Sequence, residues 1–154
     1  MATKQISLLL IVLALFLAGC TGNAQTSSTT GELVNDVKLS GDVDKIEIYH
    51  FHGTNQCYSC ITVGDYAQET VNTYFADEIK SGKIVFGHIN GELAENRELV
   101  VKYGATGSSL WIGTYTKDGQ FKAEQNTNVW YKINDKQAYM TYLKGVIEQK
   151  LAGN

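Results

Sequence analysis

The sequence predicts an α/β domain on a mixed sheet, with elements in the order β-α-β-α-β-β-α. Three observations carry this. An alternating strand, Lys45 to His52, runs into a stretch of helical periodicity and then a second strand, Lys83 to Ile89, as in a βαβ unit. Asp118-Gly119 separates two further short runs, the signal of an antiparallel hairpin. An amphipathic stretch closes the chain. Strands joined through a helix are parallel and a hairpin is antiparallel, so the sheet is mixed.

Each element has its own justification. In KIEIYHFH, Ile46 and Ile48 alternate with charged or polar neighbours before the run turns aromatic. After it, Val63, Ala67, Val71, Tyr74, Phe75 and Ile79 recur at helical spacing, with Gly82 just beyond a helix end and Gly64 a point for a bend near the start. Leu99, Val100 and Tyr103 share one side of a short helix that Gly104 closes. Leu110 to Thr116 and Gln120 to Ala123 form the hairpin, for which Asp-Gly favours a two-residue type I′ turn with both residues at positive φ. Met140, Leu143, Val146, Ile147 and Leu151 mark the last helix.

The 154 residues have room for one domain, and the first fifth is not domain material. Lys4 precedes an apolar run, Ile6 to Ala18, shorter than the roughly 20 residues a membrane span needs. It reads as the apolar core of a secretory signal over residues 1–19. Its end, Leu17-Ala18-Gly19-Cys20, resembles a lipobox, which implies cleavage before Cys20 and acylation of that cysteine. The alternative is an uncleaved N-terminal anchor with an incidental cysteine. Residues 20–42 then form a polar Ser/Thr/Gly-rich tether, with one short strand near Val34 to Leu39, and residues 43–154 form the domain. The expected location is the outer face of a cytoplasmic membrane, held there by lipid.

The net charge of −3 comes without any basic cluster, so nucleic-acid binding has no electrostatic support. Of the three cysteines, lipid on Cys20 leaves Cys57 and Cys60. A bridge between them closes too short a loop to remove much chain entropy, which argues against a purely structural staple.

A Cys-x-x-Cys where a strand ends and a helix begins points to redox chemistry. The first turn of a helix offers unpaired N–H groups and the positive end of the dipole, which lower a thiol's pKa from about 8.5. Cys57 is thus the expected nucleophile, and Cys60, three residues on, the resolving thiol. The rival reading is a metal site. His50 and His52 leave the same face of the strand and, with Cys57 and Cys60, make a His₂Cys₂ set suited to zinc or copper. His50 also fits a hydrogen-bonded core position. His52 fits loop packing, or a cation that supports the Cys57 thiolate. His88 reads as a satisfied sheet residue, and Thr54 and Asn55 as turn formers.

From about Val43 to Leu151 the chain resembles the thioredoxin superfamily. The resemblance rests on Tyr49-His50-Phe51, Cys57-Tyr58-Ser59-Cys60, Lys102-Tyr103-Gly104-Ala105-Thr106-Gly107 and Lys117-Asp118-Gly119. Within it, the chain is most similar to small extracytoplasmic lipoproteins of the ArsF type, also labelled nitrophenyl-compound nitroreductase subunits, through the pattern YxFHGT…CxxC…YGxxGSSL. This implies a thioredoxin-like fold, a redox-active disulfide needing no other cofactor, and electron delivery to a protein partner at the same membrane. Fold analogy does not fix a substrate.

Departures from that pattern identify further site residues. The chain has no proline, and Ser109 takes the place of the cis-proline that faces the cysteines. A cis bond before a non-proline residue costs about 2.5–4 kcal/mol, so the Ser108–Ser109 peptide is expected to be trans. His50 falls nearest the position of a buried carboxylate that serves thioredoxins as proton acceptor. Tyr58-Ser59 replaces Gly-Pro between the cysteines, leaving the redox potential open.

Overall fold

The computed structural model describes residues 41–153. The expected signal segment, Cys20, the tether up to residue 40 and the short strand near Val34 all lie outside the described residues. Among the described residues, no helix is long and apolar enough to cross a membrane.

Four strands form one sheet: β1 (Val43–His52), β2 (Ile84–Asn90), β3 (Ser109–Thr116) and β4 (Phe121–Gln125), in the order β2-β1-β3-β4. β1 and β2 are parallel, and β3 runs antiparallel to both β1 and β4. The helices are α1 (Tyr58–Tyr74), α2 (Ala76–Lys80), α3 (Arg97–Tyr103) and α4 (Lys136–Leu151). Short 3₁₀ turns, Ala94–Asn96 and Asn128–Lys132, precede α3 and α4. This strand order, with a βαβ half and a ββα half, is the thioredoxin-like arrangement.

Strand parity divides β1 between two cores. Ile46 and Ile48 join Val63, Ala67 and Val71 of α1, Leu110 and Ile112 of β3, and Leu143 and Ile147 of α4 in the main core. Full burial of each such aliphatic side chain contributes about 2 kcal/mol. Phe51 turns to the opposite face, where Tyr103 and Ala105 pack with Tyr49, Leu99, Trp111 and Phe121. Most aromatic residues are thus packing elements.

Glu47 is buried on that second face, and hydrogen bonds account for its charge there. Its Oε2 accepts from Tyr103 Oη at 2.8 Å and Tyr115 Oη at 2.7 Å, and its Oε1 accepts from Lys45 Nζ at 2.7 Å. Burial alone would raise its pKa, but these donors outweigh it and hold the carboxyl below its ordinary value. The Tyr103 bond also pins the end of α3 to the sheet.

The structure departs from the sequence reading in two places. α1 passes straight through Gly64, and the break comes at Phe75, whose φ of −133° and ψ of 32° leave the helical region. Phe75 is buried in the main core, so tertiary packing sets the break. The hairpin turn is not a two-residue type I′. Gly119 N–H donates to Thr116 O at 2.9 Å and Thr116 N–H to Gln120 O at 3.1 Å, closing a longer loop. Gly119 has a φ of 85°, and no non-glycine residue takes positive φ among the described residues, so Asp118 does not. Asp118 instead binds Thr116 Oγ1 and accepts from Gln120 Nε2, side-chain bonds that stabilise the longer turn. α1 starts at the Cys-x-x-Cys, as its place at a strand-to-helix junction predicted, with Cys57 as the cap. Gly104, at a φ of 67°, ends α3 as its position predicted.

Candidate functional site

The site lies where β1 hands the chain to α1. Cys57 is the N-cap of that 17-residue helix, with extended φ and ψ of −75° and 161°. Its Sγ accepts the N–H of Cys60 at 3.1 Å, one of the unpaired donors of the first turn. No acidic residue lies in that turn. The N–H donor and the helix dipole therefore act on Cys57 sulfur without an adjacent carboxylate to offset them, and both favour its thiolate once the pair is reduced.

Cys57 and Cys60 form a disulfide, with Cα atoms 5.0 Å apart. Cys57 is exposed and Cys60 half-buried, so an incoming thiol meets Cys57 first. Tyr58, between them, is 81% exposed, whereas Ser59 is half-buried.

The histidines sit below. His50 is 1% exposed and projects from β1 toward α1. His52 leaves the same face, and the two rings stack with centroids 5.4 Å apart. His52 Nδ1 lies 2.9 Å from Gly53 O, to which it donates. The parallel register sets His50 beside His88, with their Nδ1 atoms 3.1 Å apart. A third imidazole thus joins the pair that strand parity had grouped. Burial, first, then the His88 and His52 rings push His50 down to about 4, against a backbone hydrogen bond with Cys60. Burial and then His52 also lower His88, with Asp65 pulling the other way.

The two serines divide their work. The Ser108–Ser109 peptide is trans, as expected. Ser109 is buried at the start of β3, where its Oγ donates to Gly107 O at 2.9 Å and accepts from Trp111 Nε1 at 3.0 Å. Its hydroxyl is used inside its own loop. Ser108, which sequence reasoning did not single out, puts Oγ 3.5 Å from His50 Nε2. Thr54 acts as a turn residue: its N–H donates to Glu92 Oε2 and its Oγ1 accepts from Asn90 Nδ2, both at 3.0 Å. Beyond His52, a cleft of about 280 Å³ runs between Gly91–Glu92 and Ala105–Gly107.

Among the described residues, no group of three or more His, Cys, Asp or Glu side chains is arranged to hold a metal ion. In this oxidised form the two sulfurs of the alternative His₂Cys₂ set are bonded to each other.

No protein-family model matches the chain, and no curated protein matches it in sequence. Among solved structures it is similar to the crystal structure of the Trx4 domain of ERdj5, at 14% identity and a TM-score of 0.44, over 69% of this chain and 82% of that one. The chain's own strand order, β2-β1-β3-β4 with one parallel and two antiparallel pairings, defines its fold.

Proposed function

We propose that the chain is a thiol–disulfide oxidoreductase, tethered by lipid on Cys20 at the outer face of a cytoplasmic membrane, exchanging electrons with a protein partner there through Cys57 and Cys60. The observation that supports it best is the exposed Cys57 sulfur accepting the Cys60 N–H at the start of α1. The tether fits a partner at the same membrane, because anchoring raises local concentration.

In the reducing direction, the Cys57 thiolate attacks one sulfur of a substrate disulfide. A Cys57–substrate bond forms, and the first substrate thiolate leaves and takes a proton. Cys60 then gives up its proton and attacks Cys57 sulfur, the second substrate thiolate leaves, and two electrons have moved. The oxidising direction is the reverse. In this reading His50, buried and hydrogen-bonded to the Cys60 backbone, takes the Cys60 proton in the second step.

Single-cysteine variants test this. Reduced Cys60→Ser is expected to form a stable mixed disulfide with an aryl disulfide at Cys57, read by mass. At pH 6 it should react roughly tenfold faster than Cys57→Ser, reflecting the lower pKa of the capping thiol. Equal rates would contradict the proposal. So would stoichiometric zinc or copper retained by the dithiol form and lost in His50→Ala.

A further inference from the structure

His88 has a place that disulfide exchange alone does not require. It is an exposed residue on β2, its Nδ1 is 3.1 Å from Nδ1 of buried His50, and its Nε2 is 3.3 Å from Gln68 Oε1. The Gln68 carbonyl oxygen accepts only, so it selects the His88 tautomer protonated at Nε2, whose Nδ1 is an acceptor. The proton between the two rings then belongs to His50 Nδ1. On this assignment His50 Nε2 carries a lone pair, with Ser108 Oγ at 3.5 Å too far for a strong bond, and the Cys60 backbone is the ring's remaining partner.

A second feature points to the same pair. α1 carries glycine at position 64, deep in a helix, where glycine costs about 1 kcal/mol relative to alanine. A Cβ there would collide with His50 Nδ1 and lie 2.8 Å from His50 Cε1 and 2.9 Å from His88 Cε1. The helix gives up a side chain where both imidazoles press against it.

We propose that His50 and His88 form a proton relay between Cys60 and solvent, with His88 the outer member, held in register by Gln68. The proposal rests on the redox function above. When Cys60 attacks the mixed disulfide, its proton passes to His50 Nε2, the proton on His50 Nδ1 crosses to His88 Nδ1, and His88 releases its Nε2 proton to water. Both rings are left in the opposite tautomer, and no net charge stays in the site. Re-reduction of the Cys57–Cys60 disulfide returns one proton along the same line and resets both tautomers. The other groups facing the pair are His52 on β1 and Asp65 on α1. Asp65 favours a proton at the outer ring, and His52 disfavours a full cation on either. Both bias the line toward transfer rather than storage.

The test is a single turnover of the fully reduced chain with an aryl disulfide, following release of the two thiols separately, in the parent and in His88→Ala. The substitution is at an exposed position, so the fold tolerates it. The first thiol should leave at the parent's rate, since Cys57 attack uses no base. The second should leave about tenfold more slowly or worse, in keeping with the loss of a general base. Added imidazole should restore the second phase, and a series of small amine buffers should restore it more strongly as their pKa rises. A purely structural role would slow both phases and ignore the buffer series. An unchanged second phase in His88→Ala, or a defect indifferent to imidazole, would overturn the relay while leaving the redox function standing. If the parent itself releases neither thiol, the functional reading fails and the relay with it.

Discussion

Gly64→Ala is expected to destabilise the domain by about 1 kcal/mol or more, the reverse of what a glycine-to-alanine change inside a helix ordinarily does. Helix propensity alone favours alanine by about 1 kcal/mol. Against that stands the new methyl group, which overlaps His50 and crowds His88. His50 is 1% exposed and packed against His88 of β2 and Gly64 of α1, so its ring has little room to move aside. Overpacking of this kind costs about 1–3 kcal/mol and occasionally more, which outweighs the propensity gain. Urea unfolding should show a lower midpoint with an unchanged slope. The double variant His50→Ala/Gly64→Ala should recover part of the loss, because the clash and its partner disappear together. An unchanged or raised midpoint in the single variant would mean that α1 is not pressed against the imidazoles.

The second large effect is loss of stability in acid, starting near neutrality. His50 falls from an ordinary 6.5 to about 4 in the folded chain. The unfolded state therefore binds a proton below pH 6.5 that the folded state refuses until about pH 4, and stability drops across that window. The drop from His50 alone is about 3 kcal/mol, using 1.36 kcal/mol per pKa unit. His88, shifted in the same direction, adds to it. Glu47 acts lower on the scale. Its carboxyl is held below its usual 4.5, so its contribution is present above that value and disappears as pH falls through the folded pKa. Unfolding free energies at pH 7 and pH 4.5 are the measurement. The difference should shrink by about 2 kcal/mol in His50→Leu, since the substitution removes the titrating group. An equal pH dependence in parent and variant would show that His50 titrates normally.

The sequence carried the parts of the site that are local. Alternation in β1 put His50 and His52 on one face, and a Cys-x-x-Cys at a strand-to-helix junction placed Cys57 at an N-cap. Gly104 was readable because a helix stop needs only a few neighbouring residues. What escaped depends on register across the fold. His88 looked like an ordinary sheet residue because nothing in Lys83 to Ile89 says which β1 residue it will face, and the β1–β2 pairing decides that. Gly64 looked like a bend because helix propensity does not know that two rings lie against that turn. Glu47 looked like the polar half of an alternating strand, yet it is a buried carboxylate whose donors include tyrosines 56 and 68 residues away. The Asp118-Gly119 turn shows a subtler loss: the dipeptide located the reversal, but side-chain bonds of Asp118 selected a longer loop than the type I′ turn it usually makes.

A redox titration in thiol buffers of graded potential bears most directly on whether Cys57 and Cys60 work as a reversible couple. Samples quenched with a thiol-alkylating reagent and weighed should show one two-electron transition, both cysteines labelled together, with a midpoint between about −270 and −120 mV, the span of disulfide carriers. A midpoint below about −300 mV, where structural disulfides lie, or sulfurs that never equilibrate with the buffer, would contradict a role in electron exchange.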